Sequence, residues 1–261
     1  MSDVSSFSLA GKVVLQFGGS GLLGRALVSS LATAGATLVV ASRKPEVLAA
    51  EATAAGQDGR RVFLETVDLL DESSITALLA RLEKNHGPLG GMVYNAVSRT
   101  MSGMDDDLAK WEESMRVNAT GFFAAVRACG DAMARTGRGS IVNISSQMGT
   151  VGMNLFLYEG MPATVAPDYF FHKGGMTNLT RYLASHYGAK GVRVNVVSPG
   201  GIYNPAKPQA PDFLERYGKM TMLGRMAEAR EIGGSVVFLL SDASTYITGA
   251  NLAVDGGYTA K

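Results

Sequence analysis

Cysteine occurs once in the 261 residues, at Cys129, and histidine only at His86, His172 and His186. A single thiol builds neither a disulfide framework nor a thiolate metal cluster, and the histidines are too scattered for a zinc site by spacing. No metal is expected. Neither sign of charge dominates, since 24 Lys and Arg stand against 23 Asp and Glu, a net charge of +1. Without a basic surplus there is no electrostatic footprint for nucleic acid or an anionic bilayer. No apolar run approaches the ~18 residues a membrane helix needs, and residues 1–10 lack the basic start and apolar core of a signal peptide. The expectation is a cytoplasmic protein whose partner is a small molecule, not nucleic acid or membrane. Proline is scarce, at 8 residues, and low-complexity tracts are absent, so the 32 glycines serve tight turns and close backbone contacts. With no Ser/Pro-rich linker, shift in composition or internal repeat, residues 1–261 read as one domain.

Short apolar runs alternate with longer amphipathic stretches. Residues 13–17, 37–41, 61–67, 92–95, 140–145, 192–198 and 252–254 read as strands. Helical stretches follow the first and third of these, from Leu22 to Ala34 and from Glu72 to His86, and Pro45 suits a first helical turn. Longer helices are expected around Trp111 to Met133 and Tyr169 to Tyr187. Continuous apolar strands separated by helices imply an α/β protein with a single-domain Rossmann fold. Its doubly wound parallel sheet would have about seven strands with helices on both faces.

Three motifs carry chemistry. Gly18-Gly19-Ser20-Gly21-Leu22-Leu23-Gly24 sits at the first strand-to-helix turn, where glycines let backbone amides and a helix N-terminus approach a pyrophosphate. After the second strand, Ala41-Ser42-Arg43-Lys44 contains no acid to hold a ribose 2′-hydroxyl. A hydroxyl followed by a guanidinium suits a 2′-phosphate instead, which favours NADP over NAD. Tyr169 and Lys173 stand four apart, on one helix face, where an ammonium favours the phenolate. Strands ending in Asn95-Ala96 and Ser145-Ser146 bring amide and hydroxyl groups to the carboxyl edge of the sheet, where open α/β sheets bind ligands.

Together these residues resemble the short-chain dehydrogenase/reductase family over nearly the whole chain. The elements run in family order: the glycine turn, Asp68, Asn95-Ala96, Asn118, Ser146, Tyr169 with Lys173, Ser198-Pro199-Gly200, and Ile247-Thr248-Gly249 before Asp255-Gly256-Gly257. The resemblance implies an alcohol/carbonyl oxidoreductase. In it Tyr169 is the general acid/base, Ser146 positions the reacting oxygen, and Asn118 places a water in the proton relay. Lys173 would promote ionisation of Tyr169 and hold the nicotinamide ribose. Cofactor contacts would come from Gly18, Ser20, Gly21, Leu22, Leu23, Gly24, Ser42, Arg43, Asp68, Leu69, Asn95, Ala96, Pro199, Gly200 and Ile202, besides Tyr169 and Lys173. A homotetramer is implied by the same resemblance.

The departures are informative. Phe17 stands where the family commonly has Thr, and Tyr94-Asn95-Ala96-Val97 replaces Asn-Asn-Ala-Gly. The glycine spacing matches the family's extended branch, yet the chain stops soon after Gly257, leaving no room for that branch's added domain. Ser146 and Tyr169 are farther apart than is usual. Tyr158 lies at the usual distance, but four residues later comes Pro162, not Lys, so Tyr169 is preferred and residues 147–168 hold an insertion beside the site. The insertion carries Met148, Met153, Leu155, Phe156, Leu157, Tyr158 and Met161. Such a segment either packs against its own subunit or a neighbour, or closes over substrate as a lid. Residues 204–222 match the family's substrate loop. A similar insertion and glycine turn occur in members resembling gluconate 5-dehydrogenase and surface-sugar oxidoreductases, which points to a sugar, sugar acid or polyol. The apolar insertion points instead to a hydrophobic ketone or acyl thioester. A cofactor-recycling epimerase and a non-catalytic dinucleotide-binding regulator stay open as alternatives. Divergent enoyl reductases do not fit, since no Tyr here has Lys seven residues on.

Overall fold

The computed structural model describes residues 4–161 and 165–261. Seven parallel strands, β1 (Val13–Phe17), β2 (Thr37–Ser42), β3 (Arg61–Thr66), β4 (Leu89–Tyr94), β5 (Gly139–Ile144), β6 (Val192–Pro199) and β7 (Asn251–Val254), form one sheet in the order β3-β2-β1-β4-β5-β6-β7. This is the doubly wound α/β architecture read from the sequence. The central strands are mostly apolar because both of their faces are covered. Side chains alternate between two cores: Leu15, Phe17, Val39, Met92 and Ile141 face one, and Val14, Leu38, Val40, Val93 and Val142 the other.

Helices α1 (Leu22–Thr33) and α8 (Arg230–Leu240) cover the second face; α3 (Glu72–His86), α5 (Phe122–Thr136) and α6 (Pro167–Gly188) cover the first. In α3 the stripe Ile75, Leu78 and Leu82 is buried, and Asp71 caps the first turn by accepting from Ser73 N at 2.8 Å. Helix α5 ends at Gly137, whose φ of 69° is the left-handed conformation that glycine adopts without strain. Helix α2 (Ala49–Gln57) follows β2, and α7 (Pro211–Met220) lies within the 204–222 loop.

One expected element differs. A single helix over Trp111 to Met133 is replaced by α4 (Leu108–Met115), a π-helical segment (Arg116–Gly121) and then α5. The wider winding accommodates an extra residue, and here it turns Asn118 inward. Its side chain then bonds the loop after β4, accepting from Ser98 N and donating to Ser98 O, each at 2.8 Å.

Two departures from the family pattern prove to be one feature. Phe17 and Tyr94 are register partners on β1 and β4, their rings 6.0 Å apart, and Tyr94 packs edge-on against Phe122 at 4.9 Å. The aromatic column fills the first core directly beneath the strand ends.

Candidate active site

The crevice lies where the strand order reverses, between β1 and β4, at the carboxyl ends of the strands. Gly18 has φ +83° there, and a Cβ on it would stand 2.7 Å from the Ala96 backbone. Only glycine fits so close an approach with that backbone angle. The turn is tied from two sides. Asn95 Nδ2 donates to Gly18 O at 2.9 Å, and the buried Gln16 amide donates to Gly18 O at 3.1 Å and Gly24 O at 3.0 Å. Gln16 was not legible as a site residue, because a polar side chain inside an apolar strand carries no spacing signal.

Gly24 has a different environment from its neighbours in the motif. Its Cβ would meet the Gly19 backbone at 2.7 Å, so it sets the close packing of α1 on the turn. Gly21, the N-cap of α1, supplies no side chain to cap the helix. Among the described residues the first-turn amides of Leu22 and Leu23 have no acceptor. Free amides at a helix N-terminus are donors for an anion.

From this turn a cleft of about 930 Å³ runs past Ser20, Ser42, Arg43, Asp68 and Leu69 to Asn95, Ala96 and Val117. Asp68 accepts from Leu70 N at 2.9 Å, and among the described residues the Leu69 amide has no acceptor. Arg43 and Lys44 are exposed and, among the described residues, have no ion-pair or hydrogen-bond partner. Arg25, which the sequence did not single out, also lines the cleft. It is held by Ser20 O, Val47 O and the Glu51 carboxylate. A cradle no Cβ could share, uncapped amides at one end and two cations beside it without partners among the described residues fit a nicotinamide dinucleotide.

Pro199, Gly200 and Ile202 lie outside this cleft. Gly200 donates to Val254 O, and its Cβ would crowd Asp255 Cα at 2.8 Å; Ile202 packs on the second core and bridges Ala227.

Beyond Val117 the chain continues to Asn118, and the start of α6 carries Tyr169 and Lys173. Lys173 is 4% exposed and its Nζ donates to Ile144 O at 2.7 Å. Burial, and after it the charge of Arg99, push this amine down to about 7. Ser145 Oγ donates to Lys173 O at 3.0 Å and shares a 2.9 Å hydrogen bond with Thr177, clamping α6 to the end of β5. Ser146 Oγ accepts from Met148 N at 3.2 Å. The Tyr169 ring has Lys173 Nζ 5.7 Å from its centroid, Arg99 Cζ at 5.4 Å, and the His172 ring edge-on at 5.3 Å. Burial, then Lys173 and Arg99, push His172 down to about 3, so it is uncharged at neutral pH.

Tyr158 is differently placed. It packs against Phe213 of α7, and burial, Tyr258 and Tyr169 all push its hydroxyl up, against phenolate formation. Its segment is held to α7: Arg216 donates to Phe156 O and Glu159 O, and buried Leu157 joins Tyr217, Met226 and Tyr258 in a small third core. Pro162, four residues after Tyr158, falls outside the described residues.

Two buried residues that the sequence left without a role complete the site. Asp168, 2% exposed, accepts from Ser114 Oγ at 2.5 Å, and Ser114 accepts from Asn118 Nδ2 at 3.0 Å. The start of α6 is thereby linked through α4 and the π-segment to the Ser98 loop. Among the described residues no cluster of three or more His, Cys, Asp or Glu could hold a metal ion, and no helix is long and apolar enough to cross a membrane.

Comparison with known proteins agrees with this geometry. Residues 20–259 match the family model adh_short_C2, described as Enoyl-(Acyl carrier protein) reductase. Galactitol 2-dehydrogenase (L-tagatose-forming) of Cereibacter sphaeroides is 35% identical over 258 residues, covering 97% of each chain. A gluconate 5-dehydrogenase from Burkholderia cenocepacia, solved in complex with NADP and tartrate, superposes with a TM-score of 0.88 at 27% identity over 98% of both chains. A short-chain dehydrogenase from Leptospira borgpetersenii with bound NAD+ gives 0.85 at 28% identity, over 99% of this chain and 97% of that one. The chain belongs to the short-chain dehydrogenase/reductase family. It is an NAD(P)-dependent oxidoreductase of alcohols and carbonyls.

Proposed function

We propose that the protein prefers NADP and interconverts an alcohol and a carbonyl on a sugar, sugar acid or polyol. The observation that carries the cofactor preference is the unpaired Arg43–Lys44 pair at the end of β2, with no acid at the position a ribose 2′-hydroxyl would need. The polyol reading rests on the relatives named above.

The Gly18–Leu23 turn and Leu69 would hold the dinucleotide by backbone amides, Asp68 its adenine side, and Arg43 its 2′-phosphate. A nicotinamide bound there supplies the redox half of the reaction. The chain handles the proton. Tyr169 exchanges it with the substrate hydroxyl at its Oη, while Ser146 Oγ orients the same oxygen. Lys173, buried against Ile144 O, keeps a titrating amine under the phenol ring. Asn118 acts as a brace, because its side-chain amide is spent on Ser98 and Ser114. Residues 147–161 and α7 close over the substrate as one unit and exclude water. In this reading four copies of the chain assemble through α5 and α6.

One observation favours a second reading: Leu155 and Phe156 are 71% and 48% exposed beside the site, which suits an apolar ketone. The test is the initial rate of nicotinamide oxidation or reduction across sugar acids, polyols, ketones and acyl thioesters, with NADP and NAD. Turnover of a polyhydroxy substrate with NADP is the expected result. Turnover confined to ketones or thioesters would replace the substrate class, and a preference for NAD would remove the assignment of Arg43.

A further inference from the structure

Arg99 stands on the loop after β4 with its guanidinium 5.4 Å from the centroid of the Tyr169 ring. It is exposed and, among the described residues, it makes no hydrogen bond or ion pair. An arginine that only decorates a surface is free to follow solvent. The backbone that carries this one is held, because both backbone polar groups of the preceding residue, Ser98, are bonded at 2.8 Å by the Asn118 side chain, and its guanidinium lies over the Tyr169 ring. Asn118 is braced in turn by Ser114, and Ser114 by buried Asp168. Three elements thus anchor the backbone next to a cation that has no carboxylate partner among the described residues.

The charges around it sharpen the point. His172 is uncharged, Lys173 is buried and turned to Ile144 O, and the carboxylate of Asp168 is occupied by Ser114. Among the described residues, Arg99 is therefore the accessible cationic group beside Tyr169. A guanidinium offers a planar fork of donors that matches a carboxylate or phosphate edge. Holding it preorganised over the phenol wastes nothing if the substrate brings the counter-charge.

We infer that Arg99 is a specificity-determining residue that binds an oxyanion of the substrate, so the enzyme acts on an acidic polyhydroxy compound in preference to its neutral counterpart. The anion lies within a few bonds of the carbinol carbon, because the same ring that meets the carbinol oxygen at its hydroxyl carries Arg99 over its face. The inference rests on the polyhydroxy reading above and narrows it.

The test compares an aldonate with the alditol of the same carbon skeleton, and a sugar phosphate with its parent sugar, in wild type, R99M and R99K. A carboxylate source shows in the first pair and a phosphate source in the second. R99M is expected to lower kcat/KM for the acidic member about 10- to 100-fold more than for the neutral one, chiefly through KM. R99K restores part of the loss, since it keeps the charge and loses the fork. Equal losses on acidic and neutral substrates would overturn the inference and leave Arg99 as a support for Tyr169. Equal use of both members by wild type would do the same.

A readout independent of turnover is calorimetric titration of the cofactor-loaded protein with tartrate and with inorganic phosphate. Binding of either by wild type, weakened about 10-fold or more in R99M, is expected. Binding that R99M leaves unchanged, or no binding to wild type, overturns the assignment. If no polyhydroxy substrate turns over while the R99M difference in binding persists, the polyhydroxy reading falls and the anion site stands.

Discussion

Lys173 Nζ donates to the carbonyl of Ile144 at 2.7 Å from a position only 4% exposed. A cation so buried favours losing its proton, and the amine, ordinarily near 10.5, falls to about 7. The consequence for stability has a definite sign. Between about 7 and 10.5 the unfolded chain binds a proton that the folded chain does not, so folding stability rises with pH through that window. Below about 7 both states are protonated and the penalty is present in full. Urea midpoints of the cofactor-free protein between about pH 6 and 9 should climb in wild type and flatten in Lys173→Met. Parallel curves for the two proteins would show that the ammonium is not destabilised by its site.

Tyr169→Phe should reduce turnover by at least ~100-fold, the usual contribution of a positioned acid/base, while cofactor affinity by fluorescence titration stays close to wild type. Tyr158→Phe should keep its turnover. The reverse pattern would transfer the proton to Tyr158.

Removing the guanidinium in Arg43→Ala should weaken NADP about 10- to 100-fold, the value of a charge-assisted hydrogen bond, and change NAD affinity little. The ratio of the two KM values is the readout. A ratio unchanged from wild type would mean that Arg43 is a solvated charge.

Gly18→Ala combines two costs, a Cβ 2.7 Å from the Ala96 backbone and a φ of +83° that alanine adopts with strain. A loss of about 1–3 kcal/mol in denaturant unfolding is expected, together with loss of cofactor affinity. The same change at Gly21, where nothing lies within 4 Å of the added carbon, should leave folding stability nearly intact.

Ser114→Ala leaves the buried Asp168 carboxylate without its 2.5 Å donor. The expected destabilisation is about 1–3 kcal/mol, which is large for deletion of one hydroxyl. Asp168→Asn in the same background should recover part of it, because an amide is less costly than a carboxylate to leave short of donors. Denaturant midpoints of wild type and the two variants measure this directly.

How much of this could be read beforehand depended on chain distance. β1, β2, β5 and β6 announce themselves because a parallel strand covered on both faces is a mostly apolar run. Helix α3 shows in its spacing of Ile75, Leu78 and Leu82, whereas α2 buries only Ala55 and α7 begins on the third proline of a polar loop. The Asp168–Ser114 contact spans 54 residues, and nothing in the local pattern of either residue announces it. Asn118 could be flagged by resemblance, but its grip on Ser98 depends on a π-turn that no periodicity predicts.

By itself the sequence determined the α/β class, the doubly wound sheet, the family, and the pairing of Tyr169 with Lys173 on one helix face. The class, the sheet and the pairing follow from periodicity and four-residue spacing, which are local properties of a chain; the family follows from the resemblance of its ordered motifs. Tertiary structure alone decided that Gln16 braces the glycine turn, that Gly24 is crowded by Gly19, and that Phe17 and Tyr94 pack as partners. It alone set Arg99 over Tyr169, without an ion-pair partner among the described residues. Each of these depends on parallel crossovers that bring distant strand ends to one edge of the sheet, a juxtaposition that sequence spacing does not encode.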